Sequence, residues 1–165
     1  MTHFLNALIN ARNQYEPNKR WMVVVENHTK EFVTLWGSTY AIENDGNICG
    51  LCRNKKDWLN GNEILKLAIN KGGKKLQAFG EGLFKFYTKN GFVPVSWVKF
   101  DEKKAPKDWK LEFGKEPLIF YAYDKNKTDY LIPFVSFISK ETPCETFEQA
   151  YIKRDQWIYQ NGVLK

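Results

Sequence analysis

The sequence predicts an α+β fold, and three observations carry that prediction. Apolar residues recur at three- and four-residue spacing in some segments and at alternate positions in others. An Asp45-Gly46 pair lies between two strand-like runs, and a Thr-x-x-Glu capping pattern precedes the last long amphipathic segment. The 165 residues are 43% hydrophobic and 16% aromatic, which suffices for a buried core without a metal or disulfide framework. A single domain spanning residues 1–165 is therefore expected.

The first element, over residues 2–14, sets Phe4, Leu5, Leu8 and Ile9 at helical spacing behind Thr2, a capping residue, with Pro17 just beyond. Residues 20–26 read as a strand through Trp21-Met22-Val23-Val24-Val25, and residues 27–30 as its polar turn. Residues 31–43 are again β-rich, broken at Gly37-Ser38. Asp45-Gly46 supplies the positive φ of a tight turn, so residues 39–43 and 48–53 should pair antiparallel.

A polar loop over residues 55–60 leads into a helix carrying Ile64, Leu65, Ala68 and Ile69, which Gly72-Gly73 should end. Residues 75–79 read as a strand, 80–82 as a turn and 83–90 as a short helix. Residues 92–100 alternate as a strand, and Pro94 within them favours an edge or a bulge. A charged loop over 101–115 follows, then an aromatic-rich strand over 117–123 with a turn at 124–127. Residues 130–138 read as another strand or a packed irregular segment. Thr142-Pro143-Cys144-Glu145 has capping-box form with Pro at the first helical position, and the helix behind it carries Phe147, Ala150, Tyr151, Trp157 and Ile158.

Several function classes are excluded. The longest apolar stretches, residues 21–25 and 118–123, fall far short of the roughly 18 a membrane span needs, so no membrane partner is expected. The N-terminus lacks the basic and apolar regions of a secretory signal, and three cysteines cannot all pair. A cytoplasmic, reduced location follows as an expectation. No P-loop, dinucleotide-binding glycine motif or calcium loop is present. Cys49-Gly50-Leu51-Cys52 has metal-ligand spacing, but only Cys144, His3 and His28 remain to complete a site. Positions i and i+3 of a strand face opposite sides, so two small buried residues are the better reading, and no metal is expected.

The net charge of +6 is unevenly distributed: residues 53–75 hold seven basic side chains against two acidic ones and account for nearly all of it. That window admits a solvated helix face, an anion site, or nucleic-acid binding with Lys55, Lys56, Lys66, Lys71, Lys74 and Lys75 on phosphates and Trp58 for stacking. Nucleic acid is a partner to consider but not the favoured one, since only Lys55 and Lys56 adjoin Trp58 and aromatics are abundant throughout.

The run Phe86-Tyr87-Thr88-Lys89-Asn90-Gly91-Phe92 resembles the LYxKxGF ending of the fourth helix in the GNAT superfamily of acyl-CoA-dependent N-acyltransferases. The preceding hairpin, loop and helix occur in that superfamily's order. Gly72-Gly73-Lys74-Lys75-Leu76, Phe100-Asp101-Glu102 and Ala105-Pro106 add a likeness to GNAT-like domains of phage and toxin-associated bacterial proteins, over roughly residues 38–123. The resemblance implies a GNAT-like mixed, mostly antiparallel sheet flanked by helices, with a core about 20–123 and a C-terminal extension with an extra helix over 124–165. It implies transfer of an acyl group from acetyl-CoA to an amine. Tyr87 would be the general acid for the departing thiolate, Leu51 and Cys52 would bind the acyl carbonyl through the strand backbone, and Lys55, Lys56, Asn60, Gly61 and Asn62 would hold the pyrophosphate at a helix start. The family's Arg/Gln-x-x-Gly-x-Gly/Ala pattern is reduced here to Gly61 alone. No base is assigned, although Asp101 and Glu102 are available. The alternative is a non-enzymatic protein of this fold, of a kind that phages encode, acting on a host protein or nucleic acid.

Overall fold

Thr2 caps the first helix as its position suggests: its hydroxyl accepts from the Leu5 N–H at 3.1 Å, opening α1 (His3–Arg12). The computed structural model describes residues 2–15, 30–105, 111, 114–128 and 132–161. The strand expected over 20–26 and all but the last residue of the turn expected over 27–30 lie outside these residues; Lys30 belongs to a strand rather than to the turn. The chain divides into two compact units, Met1–Lys74 with Ala105–Gly114, and Lys75–Lys104 with Lys115–Lys165. Its α+β class, with a helix at the C-terminal end, is the one the sequence predicts. Each unit carries one three-stranded antiparallel sheet. Among the described residues no helix is long and apolar enough to cross a membrane.

In the first unit the sheet order is β1 (Lys30–Val33), β2 (Thr39–Ile42), β3 (Ile48–Cys52). The β2–β3 hairpin turns at Gly46, whose φ of 86° supplies the conformation expected of it. All four β2 residues are buried, so both faces of the sheet are covered. Phe4, Leu8 and Ala11 of α1 form one apolar cluster with Ala41, Cys49 and Cys52. The two cysteines thus share a cluster, against the expectation that they face opposite sides. The pairing shifts register between Thr39 and Ala41, and Gly50 stands in the opposing strand with a φ of 58°, so the two-residue alternation is interrupted. Helix α2 (Gly61–Asn70) buries Ile64, Leu65 and Ala68 and ends at Gly72-Gly73, as the glycines imply.

In the second unit β6 (Leu118–Thr128) is central, between β4 (Lys75–Phe79) and β5 (Asn90–Val98). Ile119, Phe120, Tyr121 and Ala122 are wholly buried because helices cover both faces. Tyr121 meets Phe84 and Tyr87 of α3 (Glu81–Lys89), while Ala122 packs with Ile158 of the C-terminal helix α5 (Phe147–Asn161). Pro94 sits on an outer strand beside a register shift, both of the accommodations open to a strand proline.

Three expectations are corrected. Residues 124–127 continue β6 rather than ending it; they form a bulge, with Asp124 Oδ1 accepting from the Asn126 N–H at 2.9 Å. Residues 134–140 form a helix, α4 (Phe134–Lys140), where a strand or irregular segment is expected; Phe137 is buried against Phe84. The last helix is capped four residues later than predicted. Thr146 Oγ1 accepts from Gln149 N at 3.1 Å, while the Cys144 N–H donates to the Trp97 carbonyl at 2.8 Å and the chain there bridges Val98.

Candidate functional site

The loop between β3 and α2 is built around one carboxylate. Asp57 is 4% exposed and accepts from the Thr34 hydroxyl and from the Leu59 N–H, the latter at 2.9 Å. Burial alone would push its pKa up. Hydrogen bonds from the Thr34 and Ser38 side chains and the Leu59 backbone, with the Arg53 charge nearby, outweigh that and hold it below the usual carboxylate range. Arg53 clamps the same loop, donating from Nε to the Leu59 carbonyl and from Nη2 to the Asp57 carbonyl, both at 2.8 Å.

Further loop amides are also engaged within the unit. Asn54 N–H donates to Ser38 Oγ at 2.8 Å, Lys55 N–H to Gln14 Oε1 at 2.7 Å, and Lys56 N–H to Asn54 Oδ1 at 2.9 Å. At the start of α2, Asn60 and Glu63 form a reciprocal capping box: Asn60 Oδ1 accepts from Glu63 N–H at 2.9 Å and Glu63 Oε1 from Asn60 N–H at 3.2 Å. The helix start expected to receive a pyrophosphate therefore carries its own carboxylate. Gly61 and Asn62 open the helix half-buried, and Lys55 and Lys56 are exposed. Leu51 and Cys52 lie on β3, one of the two outer strands of its sheet.

The same network fixes a second feature. Thr34 and Ser38 flank the β1–β2 turn, which Gly37 closes with a φ of 87° and a 3.0 Å hydrogen bond to the Thr34 carbonyl. Trp36 at the tip of this turn stacks on Trp58 of the loop, ring centroids 5.7 Å apart and planes 17° from parallel. Both rings remain exposed, Trp36 by 44% and Trp58 by 84%, beside Leu35 at 93%. Next to the turn an open depression of about 500 Å³ is lined by residues including His3, Asn6, Asn10, Leu35 and Asn54. Lys55 Nζ lies 5.2 Å from the centroid of Tyr15, whose hydroxyl donates to the Arg53 carbonyl at 2.8 Å.

Tyr87 belongs to the second unit. It lies on α3, 7% exposed, its ring 5.4 Å from Tyr121, 5.1 Å from Phe86 and 5.8 Å from Phe92. The Tyr121 hydroxyl is buried with no hydrogen-bond partner among the described residues, and burial, then the neighbouring Tyr87, push its pKa well above the ordinary phenol value. Asp101 and Glu102 are exposed; Asp101 Oδ1 accepts from Lys103 N–H at 3.0 Å and Glu102 pairs with Lys115 at 2.6 Å.

Lys55, Lys56, Asn60, Gly61 and Asn62 are thus brought together with Leu51 and Cys52 in the first unit, and Tyr87 stands in the second. Sequence reasoning singled out Trp58 but missed Trp36 and Asp57. The signal for Trp36 was present, since Leu35-Trp36 directly precedes a Gly37-Ser38 turn, where a large apolar pair has little chance of reaching a core. Asp57 carried no such signal, because its partners Thr34 and Ser38 are about twenty residues away in the chain. Among the described residues no group of three or more His, Cys, Asp or Glu side chains could hold a metal ion. Comparison with known families, curated proteins and solved structures finds no match to this chain.

Proposed function

We propose that this chain is a binding protein with a GNAT-like order of elements, acting through the loop-and-turn face of its first unit. The observation that carries the reading is the hydrogen bonding of the loop. The amides of Asn54, Lys55, Lys56, Asp57, Leu59 and Asn60 all donate to acceptors of the chain itself. A pyrophosphate would have to displace those acceptors and lie beside the Glu63 carboxylate, at the helix end where an external anion would otherwise be favoured. Gly61 alone offers the close backbone approach that two small residues would provide. The residues present therefore fit the acetyl-CoA pyrophosphate poorly.

Acyl transfer to an amine is the second reading, and specific features favour it. The hairpin, loop, helix, strand and helix follow in the order the resemblance implies, and Tyr87 lies in the last turns of α3, ahead of Gly91-Phe92. In that reading Lys55 and Lys56 supply by charge what the loop lacks in glycine.

Calorimetric titration with acetyl-CoA, with free CoA, and with both against a Gly61→Trp variant separates the two. The binding reading expects no saturable heat at millimolar cofactor. Micromolar binding abolished by Gly61→Trp would overturn it and establish the loop as a cofactor site.

A further inference from the structure

We infer that the stacked Trp36–Trp58 pair, together with Lys55 and Lys56, is a platform for single-stranded nucleic acid. The inference rests on the binding reading above and names the partner class of that face. Stacking an indole on an indole hides one face of each ring, yet Trp58 remains 84% exposed and Trp36 44%. Neither ring is held there by a core. Both are held by the polar network beneath, because Asp57 immediately precedes Trp58 and bonds the Thr34 and Ser38 side chains on either side of Trp36. An aromatic pair fixed in place before any ligand arrives loses little side-chain freedom on binding, and every nucleobase presents a π-face to such a surface.

The charges match the same partner. Lys55 and Lys56 precede Trp58 on the loop and are exposed, Lys55 Nζ lying 5.2 Å from the Tyr15 ring centroid; Lys71 of the basic window lies over the Phe32 ring at 5.6 Å, and Lys75 pairs with Asp155 at 3.0 Å. Of the two carboxylates of this face, Asp57 is turned inward, hydrogen-bonded and faced by the Arg53 charge, and Glu63 lies at the start of α2, bound to the Asn60 N–H. Cations that follow a backbone beside rings that stack bases are the two components of single-strand recognition. In the adjacent depression, Asn6 and Asn10 add carboxamides able to pair with base edges. An acidic polypeptide would use the lysines but would have no need of the planar indole faces, which is why nucleic acid is favoured over it.

The test is fluorescence anisotropy of the full chain with labelled oligo(dT) and oligo(rU) of about 12 nucleotides, with a duplex of equal length and a polyglutamate peptide as comparators. Single strands should bind in preference to both comparators and quench tryptophan emission. Trp58→Ala should weaken binding about tenfold or more. Lys55→Glu with Lys56→Glu should weaken it further and flatten the salt dependence by a slope of about 1.4. Both tryptophans are exposed, and Trp36→Ala, checked by circular dichroism, serves as a second variant should Trp58→Ala lose structure. Absence of saturation at high micromolar oligonucleotide would overturn the inference, as would polyglutamate binding equally well or affinity indifferent to either tryptophan. The two readings fail separately: acetyl-CoA binding removes the preceding one, and silent oligonucleotide titrations in a protein that also ignores acetyl-CoA remove only this one.

Discussion

Arg154 Nη1 donates a 3.0 Å hydrogen bond to the Leu76 carbonyl, and none of the Arg154 side chain reaches solvent. The same nitrogen reaches Gln77 Oε1 at 3.0 Å, Nε meets Asp155 Oδ1 at 3.3 Å, and the guanidinium lies over the rings of Tyr151 and Phe120 at 4.4 and 5.4 Å. One planar cation thereby joins α5 to β4 and β6. Arg154→Met keeps the volume but leaves the Leu76 carbonyl and Gln77 without their donor, so it should lower unfolding free energy by about 3 kcal/mol. Arg154→Lys should recover less than half of that, since an ammonium lacks the fork. Urea unfolding of the three proteins measures this, and a loss under about 1 kcal/mol for Arg154→Met would show that packing alone holds α5.

Asp57 should make the first unit acid-sensitive. Its folded pKa lies below the unfolded value of about 3.9, so its contribution is complete above that value and disappears as pH falls through the folded one. Asp57→Asn should cost about 1.5 kcal/mol at neutral pH, because the charge-assisted bonds weaken. The variant's stability should also fall less steeply than wild type below pH 4 or so. Parallel curves for the two proteins between neutral pH and the acid limb would assign the acid sensitivity elsewhere.

What was legible in the sequence follows a physical line. Local signals held: Thr2 capping α1, the Asp45-Gly46 hairpin, the Asn60 start and Gly72-Gly73 end of α2, and the Pro94 irregularity all depend on neighbours within a few residues. The misses depend on tertiary partners. Phe134 and Phe137 become helical where they meet Phe84, and Arg154, which nothing in the sequence singles out, is held by oxygens nearly eighty residues away. Cys49 and Cys52 share one cluster because a bulge at Gly50 breaks the two-residue alternation of a regular strand. For the candidate site, the lysines and Trp58 were visible, but the Trp36 stack and the Asp57 hub form only once the turn and the loop are brought together.

The two glycines after α2 should behave differently. A Cβ on Gly73 would lie 2.5 Å from Ile48 Cγ1 and 2.8 Å from the Ala68 carbonyl oxygen, and that backbone atom cannot yield cheaply. Gly73→Ala should therefore cost about 2 kcal/mol through overpacking. Gly72 has open space around it but a φ of 103°, so Gly72→Ala should cost about 1 kcal/mol from backbone strain alone. Thermal melts of both variants test the order, and an equal loss would mean that Ile48 and the Ala68 carbonyl yield more readily than their distances imply.

Tyr87→Phe decides between roles for the one residue that the acyltransferase reading makes catalytic. Its ring is packed by Phe86, Phe92 and Tyr121, contacts that phenylalanine retains. Stability should therefore change by less than about 1 kcal/mol. If acyl transfer occurs, turnover should fall about a hundredfold with cofactor affinity unchanged, the mark of a lost general acid. Equal loss of both, or of neither, would leave Tyr87 as a core residue.

The cysteines offer a test of the first unit's core that requires no substitution. Cys49 and Cys52 are buried and free, and each thiol is pushed up to about 12. For Cys49 the cause is burial, reinforced by Glu43, Asp45 and Glu31; for Cys52 it is burial, opposed by Arg12. Against an ordinary thiol near 9, the thiolate fraction at neutral pH falls by about a thousandfold, and the Phe4–Leu8 cluster excludes reagent as well. Since the folded pKa values are raised, the stabilisation is complete below the unfolded value and is lost only as pH climbs from about 9 toward 12. A chromogenic disulfide reagent at pH 8 should thus label the half-buried Cys144 first, releasing the other two only in denaturant. Raising the pH past 10 should speed their labelling and lower the melting temperature together. Rapid reaction of all three thiols in the folded protein at pH 8 would show that the α1 cluster opens readily, and with it the bulge that brings Cys49 and Cys52 to one side.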